Sequence, residues 1–364
     1  MNPFSSLDTF QEARSAAFLG AERFAAYLRR LAFVAEDAGL GEIEVSARLT
    51  RMAELSIRAS KATLLVGPPG TGKTHILRQI LQRMAKDGKA LGFTREIGAR
   101  WTTPEEEWTF DRVVLGETVV DGEIRSAEGV LLAAIRNDEW LVLDETNRAD
   151  MDRVLGGVLT WLSGQRVQIG NWRSPETAGI DVPVYLGWGD QPESEVVDET
   201  PNRVEYRAGT DWRLLGTYNA VDAQRVFRMG QALSRRFKQV PVPPISAEEF
   251  NSVVGGRVAE DAPRRDEILV RLDGIYRAHL SVADVALGPA LFLDIPDYVV
   301  LGLENQSADF EELIAEGYVV SIGALLARVD EEVLSELSAA MADQGGIPAD
   351  SWLWVIRQLG AMRG

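Results

Sequence analysis

Residues 67–74 have the composition and spacing of a phosphate-binding loop. Their sequence, Gly-Pro-Pro-Gly-Thr-Gly-Lys-Thr, fits the pattern G-x-x-x-x-G-K-[ST] in full. Glycines let such a loop turn so that consecutive backbone N–H groups point at phosphate oxygens. Lys73 would then reach the β- and γ-phosphates of a nucleotide, and the hydroxyl of Thr74 would bind Mg²⁺. The residues predicted to contact the nucleotide are Gly67, Pro68, Pro69, Gly70, Thr71, Gly72, Lys73, Thr74 and His75.

A pair of acidic residues follows a second apolar stretch further along the chain. Residues 140–143, Trp-Leu-Val-Leu, predict a buried strand, and Asp144 and Glu145 stand at its end. Asp144 could bind Mg²⁺ through water, and Glu145 could polarise a water for in-line attack on the γ-phosphate. Acidic pairs are common at strand ends, so this pattern is informative because a complete phosphate loop precedes it.

Two further polar groups could act on the same phosphates. Asn219 ends a third predicted strand and could contact the attacking water or the γ-phosphate; the alternative is a residue that turns the chain. Arg235 and Arg236 follow a helical stretch, and a guanidinium group can stabilise charge on phosphoryl oxygens in the transition state. The alternative for the arginines is ordinary surface charge.

Apolar runs predict the strands that position these groups. Residues 62–66 lead into the phosphate loop, residues 140–143 lead into the acidic pair, and residues 213–219 end at the asparagine. Apolar residues at helical spacing follow the first two of these runs. The repetition of strand and helix predicts an α/β fold with a parallel sheet covered by helices on both faces.

The chain is predicted to have three parts. Residues 1–44 predict an N-terminal helical segment, and residues 45–242 predict the α/β nucleotide-binding domain. Phe18, Phe24 and Tyr27 of the first segment are expected to form a packing face; the alternative is a binding groove. Residues 243–364 read as helical, and Ser246 with Glu249 has the spacing of a capping box. Residues 164–210 are rich in Gly, Pro and acidic residues, which predicts a long hairpin or loop insertion.

Composition excludes several classes of function. The 364 residues include 55 Asp and Glu against 38 Lys and Arg, a net charge of −17 that disfavours direct nucleic-acid binding. The chain has no cysteine, which excludes disulfides and thiol catalysis, and two histidines are too few for a histidine metal cluster. No apolar run approaches the length of a membrane span, and no signal peptide is evident, so we expect a cytoplasmic protein without a membrane partner.

The order of these motifs resembles that of the AAA+ ATPases, in particular the MoxR-like, McrB-like and dynein-related branch. The stretch before the acidic strand, residues 128–135, also resembles this branch, and the resemblance extends over residues 45–328. It implies the P-loop AAA+ fold, in which a parallel sheet flanked by helices is followed by a small all-α lid domain. The motifs that carry it are residues 67–74, Asp144-Glu145-Thr146-Asn147-Arg148-Ala149, Thr217-Tyr218-Asn219 and Ser234-Arg235-Arg236-Phe237.

The resemblance also implies roles for the candidate residues. Residues 67–74 would be the Walker A motif, Asp144 and Glu145 the Walker B motif, and Asn219 sensor 1. Arg236 would be an arginine finger that acts on the nucleotide of a neighbouring subunit, with Arg235 as the second candidate. A finger that acts on a neighbour requires a ring or at least a dimer, and hexamers are usual in the family. The helical region after residue 244 would cover the adenine and phosphates.

Three features depart from the family or stay open. A sensor-2 arginine is common at the start of a lid helix, where this chain has Ala290. The acidic insertion at 164–210 is longer than expected and is a candidate for docking a partner. Trp101, Trp108 and Phe110 fall where this branch carries an insertion that can line the pore of the ring, so they could engage a threaded partner or simply pack beneath a loop.

The leading hypothesis is an Mg²⁺-dependent ATPase that forms a ring and remodels a partner protein, by analogy one with a von Willebrand factor A domain. A second is an McrB-like motor that hydrolyses GTP and drives a nuclease partner in anti-phage defence. A third is a nucleotide-gated scaffold that assembles with ATP and scarcely hydrolyses it. The preferred base distinguishes the first two, and turnover that depends on Glu145 distinguishes both from the scaffold.

Overall fold

A computed structural model describes residues 47–120, 122–173, 180–219, 227 and 229–363. The N-terminal segment 1–44, with Phe18, Phe24 and Tyr27, lies outside these residues. The strands are β1 (Ala62–Gly67), β2 (Ala99–Thr102), β3 (Leu115–Val120), β4 (Glu123–Glu128), β5 (Trp140–Leu143), β6 (Val167–Trp172), β7 (Val182–Trp188), β8 (Glu195–Glu199), β9 (Arg203–Ala208), β10 (Leu214–Asn219) and β11 (Lys238–Pro241). The α-helices are α1 (Ala47–Ala59), α2 (Lys73–Lys86), α3 (Phe110–Val113), α4 (Val130–Arg136), α5 (Met151–Leu155), α6 (Leu159–Leu162), α7 (Gln231–Ser234), α8 (Ala247–Arg257), α9 (Arg265–Ser281), α10 (Ile295–Glu304), α11 (Phe310–Leu326), α12 (Glu331–Asp343) and α13 (Ala349–Met362).

Within the described ranges the chain divides into two compact units. The first holds residues 47–66, 74–219 and 227–241, and the second holds residues 67–73 and 242–363, apart from the gaps between described residues. The first contains the sheets and the second contains α8 to α13. The domain boundaries expected at 45 and 243 stay predictions. None of the helices in the described part of the chain is long and apolar enough to span a bilayer.

The central sheet of the first unit has the strand order β11-β1-β10-β5-β2. The pairs β1 with β11, β10 with β5 and β2 with β5 are parallel. All four residues of β5 are buried, which is the pattern of a strand covered on both faces. The prediction of a parallel sheet flanked by helices is therefore confirmed. Because β5 and β10 are parallel neighbours, the polar residues at their carboxyl ends lie at the same edge.

The insertion at 164–210 is more structured than the expected hairpin or loop. β6 and β7 do form a hairpin, but they belong to a four-stranded sheet of order β6-β7-β9-β8 in which β7 and β9 are parallel. The segment folds as a sheet because alternate residues of β7 and β9 join the apolar cluster that also holds β5. The residues of β7 and β9 in this cluster are Val182, Val184, Leu186, Val204, Tyr206 and Ala208.

The antiparallel hairpin of β3 and β4 is joined to this inserted sheet. The N–H of Ser126 donates to the carbonyl of Arg173 at 2.9 Å, and the N–H of Arg173 donates to the Ser126 hydroxyl at 2.8 Å. The buried Tyr206 hydroxyl donates to the Glu128 carboxylate and accepts from Arg136 Nη2 at 3.0 Å. The hairpin and the inserted sheet are thus linked by backbone and side-chain hydrogen bonds.

The aromatic residues before this hairpin pack inside the first unit. Trp108 is 5% exposed and belongs to the apolar cluster, against which Phe110 also packs. Trp101 lies 5.4 Å from the guanidinium carbon of Arg78, measured to the ring centre. For Trp108 and Phe110 the structure therefore agrees with packing rather than with contact to a threaded partner.

The second unit is built from helices around a buried aromatic group. Phe250 and Tyr276 stack with ring centres 4.0 Å apart, and both lie edge to face against Phe292. The predicted capping box is present at the start of α8: Glu249 N–H donates to the Ser246 hydroxyl, and Ser246 N–H donates to the Glu249 carboxylate. This agrees with the expectation of a helical region after residue 244.

His279 is fully buried in the second unit. Its Nδ1 lies 2.7 Å from the carbonyl oxygen of Val285 and its Nε2 lies 2.9 Å from the hydroxyl of Tyr318. Burial lowers the pKa of His279 to about 4, so the ring is neutral near pH 7. Both ring nitrogens have protein partners, so this histidine has a structural role.

Candidate nucleotide-binding and hydrolysis site

Residues 67–73 of the phosphate loop lie in the second unit, and their backbone conformation needs glycine. Gly70 and Gly72 have φ angles of +77° and +82°, a left-handed conformation that glycine adopts readily. A Cβ atom on Gly67 would lie 2.1 Å from the carbonyl oxygen of Val242. Lys73 is 5% exposed, and its Nζ donates to the carbonyls of Gly67 at 3.0 Å and Pro68 at 2.6 Å. The ammonium group is therefore held at the loop itself.

A segment of the helical region contacts this loop within the second unit. The N–H of Gly288 donates to the carbonyl of Pro69 at 2.9 Å, and the N–H of Ala290 donates to that of Gly70 at 3.2 Å. A Cβ atom on Gly288 would come within 2.1 Å of Gly70, so only glycine allows this approach. Ala290, at the position expected for a sensor-2 arginine, therefore contacts the loop through its backbone N–H. Its small side chain is exposed.

Thr74 and Asp144, the two residues predicted to bind Mg²⁺, are in contact in the first unit. The Thr74 hydroxyl donates to Asp144 Oδ1 at 3.0 Å. A hydroxyl and a carboxylate are the oxygen ligands that Mg²⁺ prefers, so the pair fits this ion. Within the described residues there is no group of three or more His, Cys, Asp or Glu that could hold a metal. The ion would therefore take its other ligands from phosphate and water.

Glu145 has an unusual backbone conformation directly after β5. Its φ of 57° and ψ of 54° are left-handed, which is uncommon for a residue with a side chain. Its N–H donates to the Thr217 hydroxyl at 2.8 Å. One carboxylate oxygen lies 3.3 Å from Nη1 of Arg148, and both side chains are about half exposed, at 44% and 54%. The carboxylate is therefore accessible to a water molecule.

Asn219 ends β10 at the same edge of the sheet. Its backbone N–H donates to the side-chain oxygen of Asn147 at 3.1 Å, which ties the end of β10 to the turn after Glu145. Two residues earlier, Thr217 donates to Asp144 Oδ1 at 2.6 Å. The structure thus brings together Thr74, Asp144, Glu145 and the end of β10, as expected from the order of the parallel strands.

Residues 62–237 match the family model described as an AAA domain of the dynein-related subfamily. This segment is an AAA domain. Its family is one of nucleotide-hydrolysing ATPases, and the match spans the acidic pair, Asn219 and both arginines as well as the phosphate loop. The resemblance to AAA+ ATPases that the sequence motifs predict is therefore confirmed for residues 62–237.

Other comparisons add little to this assignment. No curated protein sequence is similar enough to the chain to count as a relative. The chain resembles the crystal structure of NtrX from Brucella abortus in complex with ADP, at 14% identity and a TM-score of 0.42. The similarity covers 95% of this chain and 76% of that one. A likeness of this degree supports no inference about the ligand of the AAA domain.

The two candidate arginines of the AAA domain lie beside β11. Arg235 is exposed, and its side chain has no hydrogen-bond or ion-pair partner among the described residues. Arg236 is partly buried; its Nε donates to the hydroxyl of Ser163 at 3.2 Å and its Nη1 to the carbonyl of Ala232. Neither guanidinium pairs with a described carboxylate, so both remain available to bind an anion.

His75 lies in the first turn of α2. Its Nε2 is 2.9 Å from Nε2 of Gln79, one turn further along the helix. Burial, together with the nearby positive charge of Arg78, lowers the pKa of His75 below its usual value, so the ring is neutral at pH 7. The described hydrogen bond of this ring is to the helix, and its role in nucleotide binding stays a prediction.

Three residues of the AAA domain site belong to the motifs named from the sequence, but sequence reasoning gave them no role of their own. Thr217 bonds to both acidic residues, Asn147 to the backbone of Asn219, and Arg148 to Glu145. Each lies within three residues of a predicted site residue. A buried threonine just before the end of a strand is the pattern that could have identified Thr217.

Proposed function

We propose that this protein is an Mg²⁺-dependent ATPase that assembles into a ring and uses ATP hydrolysis to remodel a partner protein or complex. One observation carries the proposal. In an AAA domain with a complete phosphate loop, Asp144 accepts hydrogen bonds from Thr74 and from Thr217, while Glu145 directly follows with an accessible carboxylate. Such an arrangement suits phosphoryl transfer to water, in which positioning and charge stabilisation supply most of the catalysis.

Each residue has a distinct part in the proposed reaction. The backbone N–H groups of the loop and the ammonium of Lys73 bind the phosphates. Thr74 and Asp144 would hold Mg²⁺, and the ion would supply positive charge for the phosphate oxygens. Glu145 accepts a hydrogen bond from the attacking water and orients it for in-line attack. Asn219, at the end of the neighbouring strand, orients the water or the γ-phosphate.

Ring assembly is proposed because the arginines are available to another molecule. Arg235 is exposed and Arg236 donates only to neutral groups, as expected of a residue that binds the phosphates of a neighbouring subunit. We propose Arg236 as this finger, Arg235 as the second candidate, and a hexamer as the assembly. The partner is proposed to be a protein, and a von Willebrand factor A domain in that partner stays a prediction.

The test is the molecular mass in solution together with phosphate release from the same samples. Purified protein would be measured without nucleotide, with ATP and Mg²⁺, and with GTP and Mg²⁺, with Lys73→Ala as the control that lacks the ammonium. We expect a ring-sized species and turnover with ATP in the wild type and neither in the control. Turnover in Lys73→Ala equal to that of the wild type would overturn the proposal.

The same measurements distinguish the two alternatives. A response to GTP alone would favour the McrB-like motor that drives a nuclease partner. Assembly with ATP and turnover that Glu145→Gln leaves unchanged would favour the nucleotide-gated scaffold. A monomer under all three conditions, with no turnover, would contradict the ring.

A further inference from the structure

The hydroxyl of Thr217 stands between the two acidic residues of the site. Thr217 is 1% exposed and lies on β10, the strand next to β5. Its Oγ1 donates to Asp144 Oδ1 at 2.6 Å and accepts from the N–H of Glu145 at 2.8 Å. One buried hydroxyl thus contacts the side chain of the first acid and the backbone of the second.

The direction of these two bonds follows from the chemistry of a hydroxyl. A threonine hydroxyl has one proton to donate and lone pairs that accept. A backbone N–H can only donate, so the hydroxyl of Thr217 accepts from Glu145. Its own proton is then available for the hydrogen bond to the carboxylate of Asp144. A hydrogen bond to an ionised acceptor is stronger than one between neutral groups, which favours this direction further. The hydroxyl therefore fixes both acids at once.

The bond to the backbone accompanies the unusual conformation of Glu145. A residue with a side chain adopts the left-handed region at a cost, and it does so when surrounding contacts hold it there. The Thr146 hydroxyl also donates to the carbonyl of Thr217, at 2.8 Å. Thr217 thus has a hydrogen bond with each of Asp144, Glu145 and Thr146. Together these bonds hold the turn that carries the side chain of Glu145.

Asp144 accepts a second hydrogen bond, from the hydroxyl of Thr74. Thr74 Oγ1 donates to the same Oδ1 atom that Thr217 contacts. Of the two hydroxyls, that of Thr74 is the predicted Mg²⁺ ligand, whereas that of Thr217 is buried on the strand side. The Asp144 carboxylate is therefore held from β10 as well as from Thr74.

We infer that Thr217 is a positioning residue for nucleotide hydrolysis, which links β10 to Asp144 and Glu145 and keeps both acids in their reactive orientation. This inference rests on the proposed ATPase function. Because Asn219 lies two residues further along β10, a displacement of that strand moves Asn219 and both acids together. Loss of the hydroxyl leaves the Glu145 N–H without its acceptor, and it leaves Asp144 Oδ1 with the hydroxyl of Thr74 as its described side-chain donor.

The test compares the full-length variants Thr217→Val, Thr217→Ser and Thr63→Val with the wild type. Valine has the shape of threonine without the hydroxyl, and serine keeps the hydroxyl. Thr63 is a matched control: it is 0% exposed, lies on the neighbouring strand β1, and donates only to the carbonyl of Ser56. Measurements are kcat and KM for ATP, the Mg²⁺ concentration for half-maximal turnover, binding of a fluorescent ADP analogue in EDTA, and the melting temperature.

We expect Thr217→Val to lower kcat between about 10- and 100-fold, the effect of a small misplacement of reacting groups. Half-maximal turnover should need more Mg²⁺, while binding of the ADP analogue in EDTA stays within twofold, or about 0.4 kcal/mol, of the wild type. Thr217→Ser should recover most of the loss, and Thr63→Val should keep full turnover. In a Glu145→Gln background, Thr217→Val should cause little further loss, because the two residues act as a unit.

Two results would overturn the inference. One is a wild-type kcat in Thr217→Val, and the other is an equal loss in Thr63→Val or in Thr217→Ser. Wild-type turnover that is absent or insensitive to Lys73→Ala would instead contradict the proposed function, so the two failures are distinguishable. If Thr217→Val melts early, the comparison with Thr217→Ser at a temperature where both are folded keeps the test valid.

Discussion

The acidic end of β5 and the arginine pair beside β11 are held in opposite ways within the same unit. Asp144 accepts hydrogen bonds from two hydroxyls, and the backbone N–H of Glu145 donates to one of these hydroxyls. The side chain of Arg235 has no partner among the described residues, and Arg236 donates to one hydroxyl and one carbonyl. This contrast agrees with the proposal that the carboxylate half of the site is complete within one chain and that the guanidinium half acts on another molecule.

The largest effect is expected on the carboxylate half. Glu145→Gln keeps the shape of the side chain but removes its ability to accept a proton from water, so turnover should fall about 10³-fold. Nucleotide binding should be kept, because the phosphate loop is untouched. Phosphate release and binding of a fluorescent nucleotide would be measured in parallel.

Glu123→Gln is the matched control for this variant, since Glu123 is an exposed residue of the hairpin. Its turnover should equal that of the wild type. Wild-type turnover in Glu145→Gln would show that Glu145 takes no part in hydrolysis.

Arg236→Ala should lower turnover about 100-fold, the typical cost of one donor to the transition state. Nucleotide affinity of the isolated subunit should not change, because the guanidinium is proposed to act on the nucleotide of a neighbouring subunit. Arg235→Ala, measured beside it, should have the smaller effect, and Arg112→Ala, an exposed arginine of α3, is the control. The reverse order of the two effects would assign the finger to Arg235.

Mixing two inactive variants tests whether the finger acts between subunits. Arg236→Ala keeps its phosphate loop, and Lys73→Ala keeps its arginine, so mixed interfaces contain one complete site. Some turnover should return on mixing, measured as phosphate release at constant total protein. If mixed rings form and no turnover returns, the arginine acts within its own subunit. The proposal that Arg236 serves the nucleotide of a neighbouring subunit would then be wrong.

The smallest effect on turnover is expected from the contact between Ser163 and Arg236. Ser163→Ala removes the hydroxyl that accepts from Nε of Arg236. Turnover should fall only about two- to fivefold, because the guanidinium loses one exposed hydrogen bond and keeps its bond to the carbonyl of Ala232. A drop as large as that of Arg236→Ala would mean that Ser163 has a further role, and the Arg235→Ala, Ser163→Ala double variant would then show whether that role involves the second arginine.

Much of the fold could be predicted because its signals are local. The phosphate loop is a continuous motif, and the apolar runs before it and before Asp144 predict strands directly. The role of Thr217 could not be predicted in this way, because it depends on β10 lying next to β5, a contact between distant parts of the chain. The contact between Ser163 and Arg236 was missed for the same reason.

The inserted sheet shows a different limit of sequence reasoning. Alternation of apolar residues in β7 and β9 is interrupted by Pro183 and surrounded by acidic residues, so the composition of a loop dominates the signal. The buried face becomes visible only when β7 and β9 pair side by side and cover the same apolar cluster. Tertiary packing, and not local preference, decides this part of the fold.

The hydrogen bonds that join the hairpin to the inserted sheet affect how this chain could be shortened. Tyr206 lies within the insertion, yet its hydroxyl serves Glu128 and Arg136, which lie outside it. A deletion of residues 164–210, however well its ends were joined, would uncover apolar surface and leave Glu128 and Arg136 without the tyrosine hydroxyl. Shortened variants of this protein should therefore keep the insertion. Its predicted role in docking a partner should be tested by substitutions of exposed residues and not by deletion.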